Sequence, residues 1–178
     1  YKPSISAACE ENSQSAILKW ETFPVMKGEL KVYASSDPDN IPLEKPIATT
    51  SISEQMLMVR TNGRMDRMYY TMVFNDEFPI TIASRRIYLP GTQNFRDIGG
   101  YFTTSGREVK WGMVYRSDAL DSIGSEGERI LRGLGVKTII DLRSPQEIGG
   151  AVRKMKGIRR INIPLISEEA MRLFDSVG

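Results

Sequence analysis

Three short clusters hold the side chains with the most chemistry in them: Arg96-Asp97, Arg116-Ser117-Asp118 and Asp141-Leu142-Arg143-Ser144. Each arginine follows or ends an apolar segment, and the planar guanidinium fork suits phosphate or carboxylate. The alternation with Asp97, Asp118 and Asp141 fits equally well a set of buried ion pairs that fix loops. Arg143 has further context. Ser144 as N-cap, Pro145 at the first helical position and Glu147 closing a capping box place it beside a helix N-terminus, where unpaired N–H groups and the helix dipole favour an anion. Spacing alone does not choose between anion recognition and structural pairing.

The elements around these clusters read as alternating strands and helices. Tyr101-Phe102-Thr103 meets Val109-Lys110-Trp111 in a hairpin across Thr104-Ser105-Gly106-Arg107, with Gly106 supplying the positive φ of the turn. Met113 to Arg116 is a strand that ends in polar residues. Ser125 and Glu128 form a capping box, Ile130, Leu131 and Leu134 the apolar stripe of a short helix, and Gly135 its close. Val136 to Leu142 is a nearly continuous apolar strand of the kind buried on both faces in a parallel sheet. Arg160 to Leu165 is a further core strand, and Ser167 starts an amphipathic helix with Ala170, Leu173 and Phe174 on one face. Strand and helix in alternation predict an α/β domain, in which ligands bind beyond the carboxyl ends of the strands.

Up to residue 88 the punctuation differs. Ile5 to Glu10, Ala16 to Trp20, Leu30 to Ala34, Met56 to Val59, Arg67 to Phe74 and Ile80 to Ser84 read as strands, separated by turn chemistry at Ser36-Asp37-Pro38-Asp39-Asn40 and Thr61-Asn62-Gly63-Arg64. Met68, Tyr70, Met72 and Phe74 alternate with Tyr69, Thr71 and Val73. Short strands without a helix predict a β-sandwich over residues 1–88, and Trp20, Tyr33 and the Tyr69-Tyr70 pair resemble the fibronectin type III-like layout. Methionines crowd this half at Met56, Met58, Met65, Met68 and Met72. Thioethers are soft ligands for Cu(I); alternating on strands, they read better as filling of an irregular core.

Composition removes several chemistries. The 178 residues contain no histidine and one cysteine. That excludes a Ser-His-Asp triad, a Cys-His dyad and a His-containing zinc site within these residues, and Cys9 has no internal disulfide partner. A hydrophobic fraction of 40% argues against a disordered chain. Up to Tyr88 there are 10 Lys+Arg and 11 Asp+Glu, net −1, and after it 14 and 11, net +3. The run Arg153, Lys154, Lys156, Arg159, Arg160 reads as a solvated surface rather than a patch for anionic substrates or lipids, and it does not suggest nucleic acid. No stretch approaches the roughly 20 apolar residues of a membrane span. The start at Tyr1-Lys2-Pro3 without an initiator Met suggests a removed upstream segment; if that segment was a signal peptide, the expected location is periplasmic, secreted or surface-bound.

The ordered set Asn94-Phe95-Arg96-Asp97-Ile98-Gly99-Gly100-Tyr101, Gly106-Arg107, Tyr115-Arg116-Ser117, Leu120, Leu134-Gly135 and Asp141-Leu142-Arg143-Ser144 with Glu147 resembles the opening of the atypical bacterial tyrosine phosphatases. The resemblance covers roughly Ile87 to Leu165. With the all-β sandwich read over 1–88, the chain is expected to be α+β and two-domain, and the resemblance implies that 89–178 is the first part of an α/β cysteine-phosphatase domain. It implies phosphomonoester hydrolysis through a cysteinyl-phosphate, with no metal or other cofactor, on phosphorylated protein or phosphoinositide. A thiolate in a loop His-Cys-x-x-Gly-Lys-Asp-Arg-Thr-Gly attacks phosphorus, its pKa depressed by stacked N–H dipoles and an arginine. Carried onto this chain, Asn94, Arg96 and Asp97 border the pocket, with Asp97 pairing Arg96 or Arg116. Arg116, Ser117, Asp141, Arg143 and Ser144 brace the phosphate loop from neighbouring strand ends.

The sequence departs from that pattern where the nucleophile is concerned. No catalytic residue is assigned in this chain, because Cys9 sits on a predicted strand without the glycine-rich loop, as a small buried apolar residue. After Pro164 the family's acidic proton donor is replaced by Leu165-Ile166-Ser167, with Glu168 or Glu169 as stand-ins. The reading is therefore a phosphatase truncated before its catalytic loop and inactive as it stands, with an unpaired sheet edge open to self-association. The alternatives are a non-catalytic binding module and an adhesion module built on the sandwich.

Overall fold

Period-two alternation puts Met68, Tyr70, Met72 and Phe74 on one side of a sheet, and in the computed structural model, which describes residues 1–61, 67–150, 152–166 and 172, all four are buried in one cluster. Met68 leads into β6 (Tyr69–Phe74), which carries the other three and lies between β3 (Glu29–Ser35) and β7 (Phe78–Ala83), and β4 (Ala48–Ser51) pairs the other side of β3. This gives an antiparallel sheet of order β4-β3-β6-β7. A second sheet has the order β1-β2-β5, from β1 (Ser4–Glu11), β2 (Ser15–Phe23) and β5 (Met56–Arg60). Both sheets feed the same core: Cys9, Ala16, Leu18 and Trp20 from one, Leu30, Val32, Met72, Phe74 and Ile82 from the other. The Trp20 indole N–H donates to the Ile52 carbonyl at 2.7 Å, so its polar atom is satisfied inside the core.

Each of the six segments read as strands falls on one. β4 escaped the pattern because Ala48-Thr49-Thr50-Ser51 has no large apolar residue; it forms by pairing along Glu29 to Val32. The methionines divide. Met68 and Met72 fill the core, but Met56 and Met58 are 56% and 63% exposed, because the β5 register turns Leu57 and Val59 towards the cluster instead. The turn at 61–64 and Met65 extend into residues outside those described, as do the helix read from Ser167 with Ala170, Leu173 and Phe174, and the acidic Glu168 and Glu169.

The chain forms two compact units, Tyr1–Tyr88 with Gln93–Asp118, and Leu89–Thr92 with Ala119–Gly178. In the first, Tyr69 and Thr71 are buried as well as the core-facing residues of β6. That second face is engaged by the later segment, whose Trp111 indole donates to the Thr81 carbonyl at 3.2 Å. The 101–111 hairpin forms as read, closed by Val109 N–H to Tyr101 O at 2.8 Å and Gly106 N–H to Thr103 O at 2.9 Å, with Gly106 at φ +78°. The expected strand at 113–116 shrinks to β9 (Tyr115–Arg116). It pairs antiparallel with β8 (Arg96–Asp97) rather than joining a parallel sheet, since β8 is itself tied to residues 85–87 by Asp97 N–H to Arg85 O and Ile87 N–H to Phe95 O.

In the second unit α1 (Ser125–Gly133) starts one residue earlier in register than the capping box required. Gly124 is the N-cap and, having no side chain, supplies no side-chain cap; Glu128 pairs with Arg132 and Arg153 instead. Its close is as read: Gly135 at φ +78° sends its N–H to Arg132 O, and Val136 N–H reaches Leu131 O, a Schellman arrangement. β10 (Thr138–Asp141) pairs in parallel with β11 (Arg159–Asn162). The expectation that this apolar strand is buried on both faces is not met: Ile140 and Leu142 are 57% and 48% exposed, because β10 has one strand neighbour among the described residues. One helical turn, α2 (Pro145–Ile148), follows Ser144 with both capping-box bonds present. The fold is mixed α+β.

The two kinds of strand methionine make a direct test of this packing. Met72→Ala should cost about 2–5 kcal/mol and Met58→Ala less than about 0.5 kcal/mol in urea unfolding; equal losses would contradict the register of β5.

Candidate functional site

Asp97 is 0% exposed, so its charge must be met inside the protein. Three donors meet it. Gly99 N–H donates to Oδ1 at 2.7 Å, Gly112 N–H to Oδ2 at 2.8 Å, and the Arg67 guanidinium pairs with Oδ2. Arg67 in turn donates to the Ser84 carbonyl at 2.9 Å and lies 4.9, 5.8 and 5.9 Å from the ring centres of Tyr69, Trp111 and Tyr115. Its Nε is buried without a hydrogen-bond partner among the described residues. Burial is the largest influence on Arg67 and works against its charge, yet its pKa is raised, because the bond to Asp97 and the charge interactions with Tyr69, Asp97 and Tyr115 together outweigh that penalty. Burial pushes the Tyr69 phenol up to about 12, so it stays neutral.

A second arginine fixes the same turn from outside. Arg85 donates to the carbonyls of Asp97 and Gly99 at 3.1 and 2.6 Å, and its guanidinium sits 3.8 Å from the Tyr101 ring centre. The turn can be this tight only with glycine. A Cβ on Gly99 would lie 2.5 Å from Trp111 Cα, and one on Gly100, at φ +78°, would lie 2.1 Å from the indole ring.

The expectation that Asp97 pairs Arg96 or Arg116 is therefore corrected: its partner is Arg67. Alternation explains why. On β8 Asp97 points inward and Arg96 outward, so the two cannot share a face. Arg96 is cross-strand from Arg116, and across the isolated bridge from Arg86. All three are exposed. Asn94 is exposed, and the Ser117 hydroxyl donates to Asp118 Oδ1 at 3.3 Å.

The second unit has its own carboxylate centre. Asp141 Oδ1 accepts from Arg143 N–H at 3.1 Å and Nε at 3.0 Å, and Oδ2 accepts from Arg143 Nη2 at 2.9 Å and from the Arg160 guanidinium. Asp121 takes the other side of Arg143, at 2.6 and 3.2 Å. Arg143 thus lies between two carboxylates, and its pKa is raised by their hydrogen bonds. The same bonds hold Asp141 well below the usual carboxylate range. Ser144 is 1% exposed and caps α2 through Glu147. Arg143 stands beside the helix N-terminus, as read, but its donors are spent on Asp141 and Asp121.

Neither centre contains a thiol. Cys9 is buried in the sandwich core, and burial raises its thiol to about 12, which leaves it un-ionised at neutral pH. Sequence reasoning missed Arg67, Arg85, Asp121 and the pairing of Arg160. Arg67 opened the strand segment 67–74 without signalling a partner thirty residues on, and nothing near Asp121 marked it.

Residues 87–176 match the family described as the tyrosine phosphatase family. Over 60 residues the chain is 37% identical to the triple specificity protein phosphatase PtpB of Mycobacterium tuberculosis, a stretch that covers 34% of this chain and 20% of that protein.

Two substitutions test the centres. Arg67→Met leaves the Asp97 carboxylate buried without its cation and should cost about 3–5 kcal/mol. Asp141→Asn should cost less, about 1–3 kcal/mol, since Arg143 and Arg160 keep about a quarter of their side-chain surface exposed. Because the folded pKa of Asp141 is depressed, its contribution is present at neutral pH and is lost as pH falls below the unfolded value of about 4. The difference in melting temperature between the wild type and Asp141→Asn should be widest near neutrality and close in acid; a gap that widens in acid would reverse the assignment.

Proposed function

The chain belongs to the tyrosine phosphatase family by its match over residues 87–176, and from that premise we propose that it is part of a protein-tyrosine or dual-specificity phosphatase that hydrolyses phosphomonoesters through a cysteinyl-phosphate. The single observation that carries the reading is the match itself, which takes in Arg96, Asp97, Arg116, Asp141 and Arg143 in one continuous stretch. In this reading Asn94, Arg96 and Asp97 border the pocket, and Arg116, Ser117, Asp141, Arg143 and Ser144 brace the loop that holds phosphate. The geometry supports bracing roles for Asp97 and Arg143. Both are saturated with protein partners, and saturated groups position a loop rather than react.

The nucleophile is not among residues 1–178. The chemistry needs an ionised thiol, and Cys9 is held protonated in a core. The matched stretch of the mycobacterial relative is a fifth of that protein's length, so the activity of a whole phosphatase is a proposal for this chain. We read the first unit's two sheets, of order β1-β2-β5 and β4-β3-β6-β7, as a fibronectin type III-like sandwich over 1–88, and residues 89–178 as the opening of the phosphatase domain. The match beginning at residue 87 supports that boundary, whereas contacts group 93–118 with the first unit.

The experiment has two arms. The 178-residue chain should release no phosphate from p-nitrophenyl phosphate; turnover that disappears in Cys9→Ser would sink the assignment of the nucleophile. The product of the full reading frame, if it carries a Cys-x5-Arg loop, should hydrolyse the same substrate and a phosphotyrosine peptide in the presence of chelator, and lose the activity when that cysteine becomes serine. Inertness of such a product on both substrates would overturn the phosphatase reading.

A further inference from the structure

Three arginines stand in one row across the edge of the first unit. Arg86 faces Arg96 across an antiparallel bridge, and Arg96 faces Arg116 across the β8–β9 pair. Residues directly opposite in antiparallel pairs project from the same face. The Arg86–Arg96 pair is flanked by the bonds Ile87 N–H to Phe95 O at 3.0 Å and Asp97 N–H to Arg85 O at 2.9 Å. That makes it a non-hydrogen-bonded pair, the kind whose Cα atoms approach to about 4.5 Å, against about 5.5 Å in the hydrogen-bonded kind. All three side chains are exposed.

Like charges directly opposite each other destabilise a strand pair unless a counter-charge is supplied. The described residues supply none: the acids that form ion pairs are spent on Lys31, Arg67, Arg132, Arg143, Arg153 and Arg160. Asp118, next to Arg116-Ser117, accepts instead from Gln93 N–H at 3.2 Å and from the Ser117 hydroxyl. One donor of Arg86 goes to the Gln93 carbonyl at 3.3 Å. No side-chain bond engages Arg96 or Arg116 among the described residues. The opposite face of the same strands is closed, with Asp97 buried and Phe95 stacked on Tyr115 at 5.3 Å, so the arginines are mounted on a fixed base.

We propose that Arg86, Arg96 and Arg116 form a binding site for a ligand that carries at least two adjacent phosphate groups. A row of planar forks at strand spacing matches successive anionic groups, each taken bidentately, better than a single anion. Arg86 lies one residue before the family match, so this row is a property of how residues 85–87 of this chain seat β8. The proposal rests on the phosphatase reading only for its significance, as a subsite for anionic groups flanking a substrate's reacting phosphate. The binding itself requires no turnover.

The test uses the 178-residue chain with inorganic tripolyphosphate as probe, followed by calorimetry and by melting temperature. Tripolyphosphate should bind more tightly than inorganic phosphate, and Arg96→Gln, at the centre of the row, should weaken it by about tenfold. Without ligand, Arg96→Gln at low salt should leave the melting temperature unchanged or raise it, because repulsion is relieved. Arg107→Gln, on the hairpin turn, is the control and should leave binding intact. The proposal is overturned if Arg96→Gln lowers the melting temperature while binding persists, which is the signature of structural pairing. It is equally overturned if Arg107→Gln weakens tripolyphosphate as much as Arg96→Gln does, which is the signature of nonspecific charge. Inertness of a full-length product towards p-nitrophenyl phosphate bears on the phosphatase reading and leaves this measurement untouched.

Discussion

A carboxylate removed completely from water costs several kcal/mol unless its lone pairs are filled, and the first unit is arranged around filling those of Asp97. Two backbone N–H groups and one guanidinium converge on it, and each imposes a condition. The chain must turn back after Asp97 so that Gly99 N–H reaches its carboxylate, which brings the Gly99 backbone against Trp111 and admits no Cβ. Gly112 must approach from the far end of the hairpin. Arg67 must arrive from the segment that opens β6, and it does so through a box of three aromatic rings. Residues 93–118 are thereby folded onto strands that precede them in sequence, with Thr81, Ser84 and Arg85 adding bonds from β7 and its end.

The Asp141 centre solves the same electrostatic problem with less burial and more arginine. Arg143 reaches Asp141 with two side-chain donors and its own amide, then offers its outer edge to Asp121. Because these groups keep some contact with solvent, each bond is worth less than at Asp97, and the strength lies in the number of them. The result fixes the end of β10 relative to the start of α2, with Asn162 of β11 bonding the carbonyls of Asp141 and Arg143. A guanidinium clamped between two carboxylates is a strut. The arginines thus sort into paired ones, Arg67, Arg143 and Arg160, and the exposed row Arg86, Arg96 and Arg116, although the sequence presents them in similar settings.

What was readable in the sequence follows from the range of the interactions. Local chemistry was legible: the Ser144-Pro145-Glu147 cap, the Gly106 hairpin and the Gly135 helix close each depend on residues within a few positions, and each formed. The apolar alternation of residues 68–74 was legible because its period is a property of the strand alone. The Ser125–Glu128 cap failed although it is equally local, because Arg132 and Arg153 compete for Glu128 with charge. Partners distant in sequence were not legible. Asp97 was seen as a pairing group, but choosing Arg67 over Arg96 requires knowing which face of a two-residue strand is covered, and only the packing of Trp111 and Tyr69 decides that. Burial of the β10 strand was overestimated for the same reason, since an apolar run states a preference for cover without naming what provides it.

The absence of histidine and of a usable thiol takes on a narrower meaning once both centres are in view. It removes histidine and thiolate chemistry from these residues; it does not make them passive. Transition-state stabilisation depends on dipoles and charges held in place before the reaction begins, because reorganising them during it costs what they would gain. A loop pinned by a buried carboxylate through two backbone amides and an arginine has little freedom left to reorganise. The same holds for a strand end pinned by Arg143 between two acids. A stretch rich in saturated Asp–Arg bonds is therefore suited to placement, and in the phosphatase reading we propose, reaction is assigned to other residues.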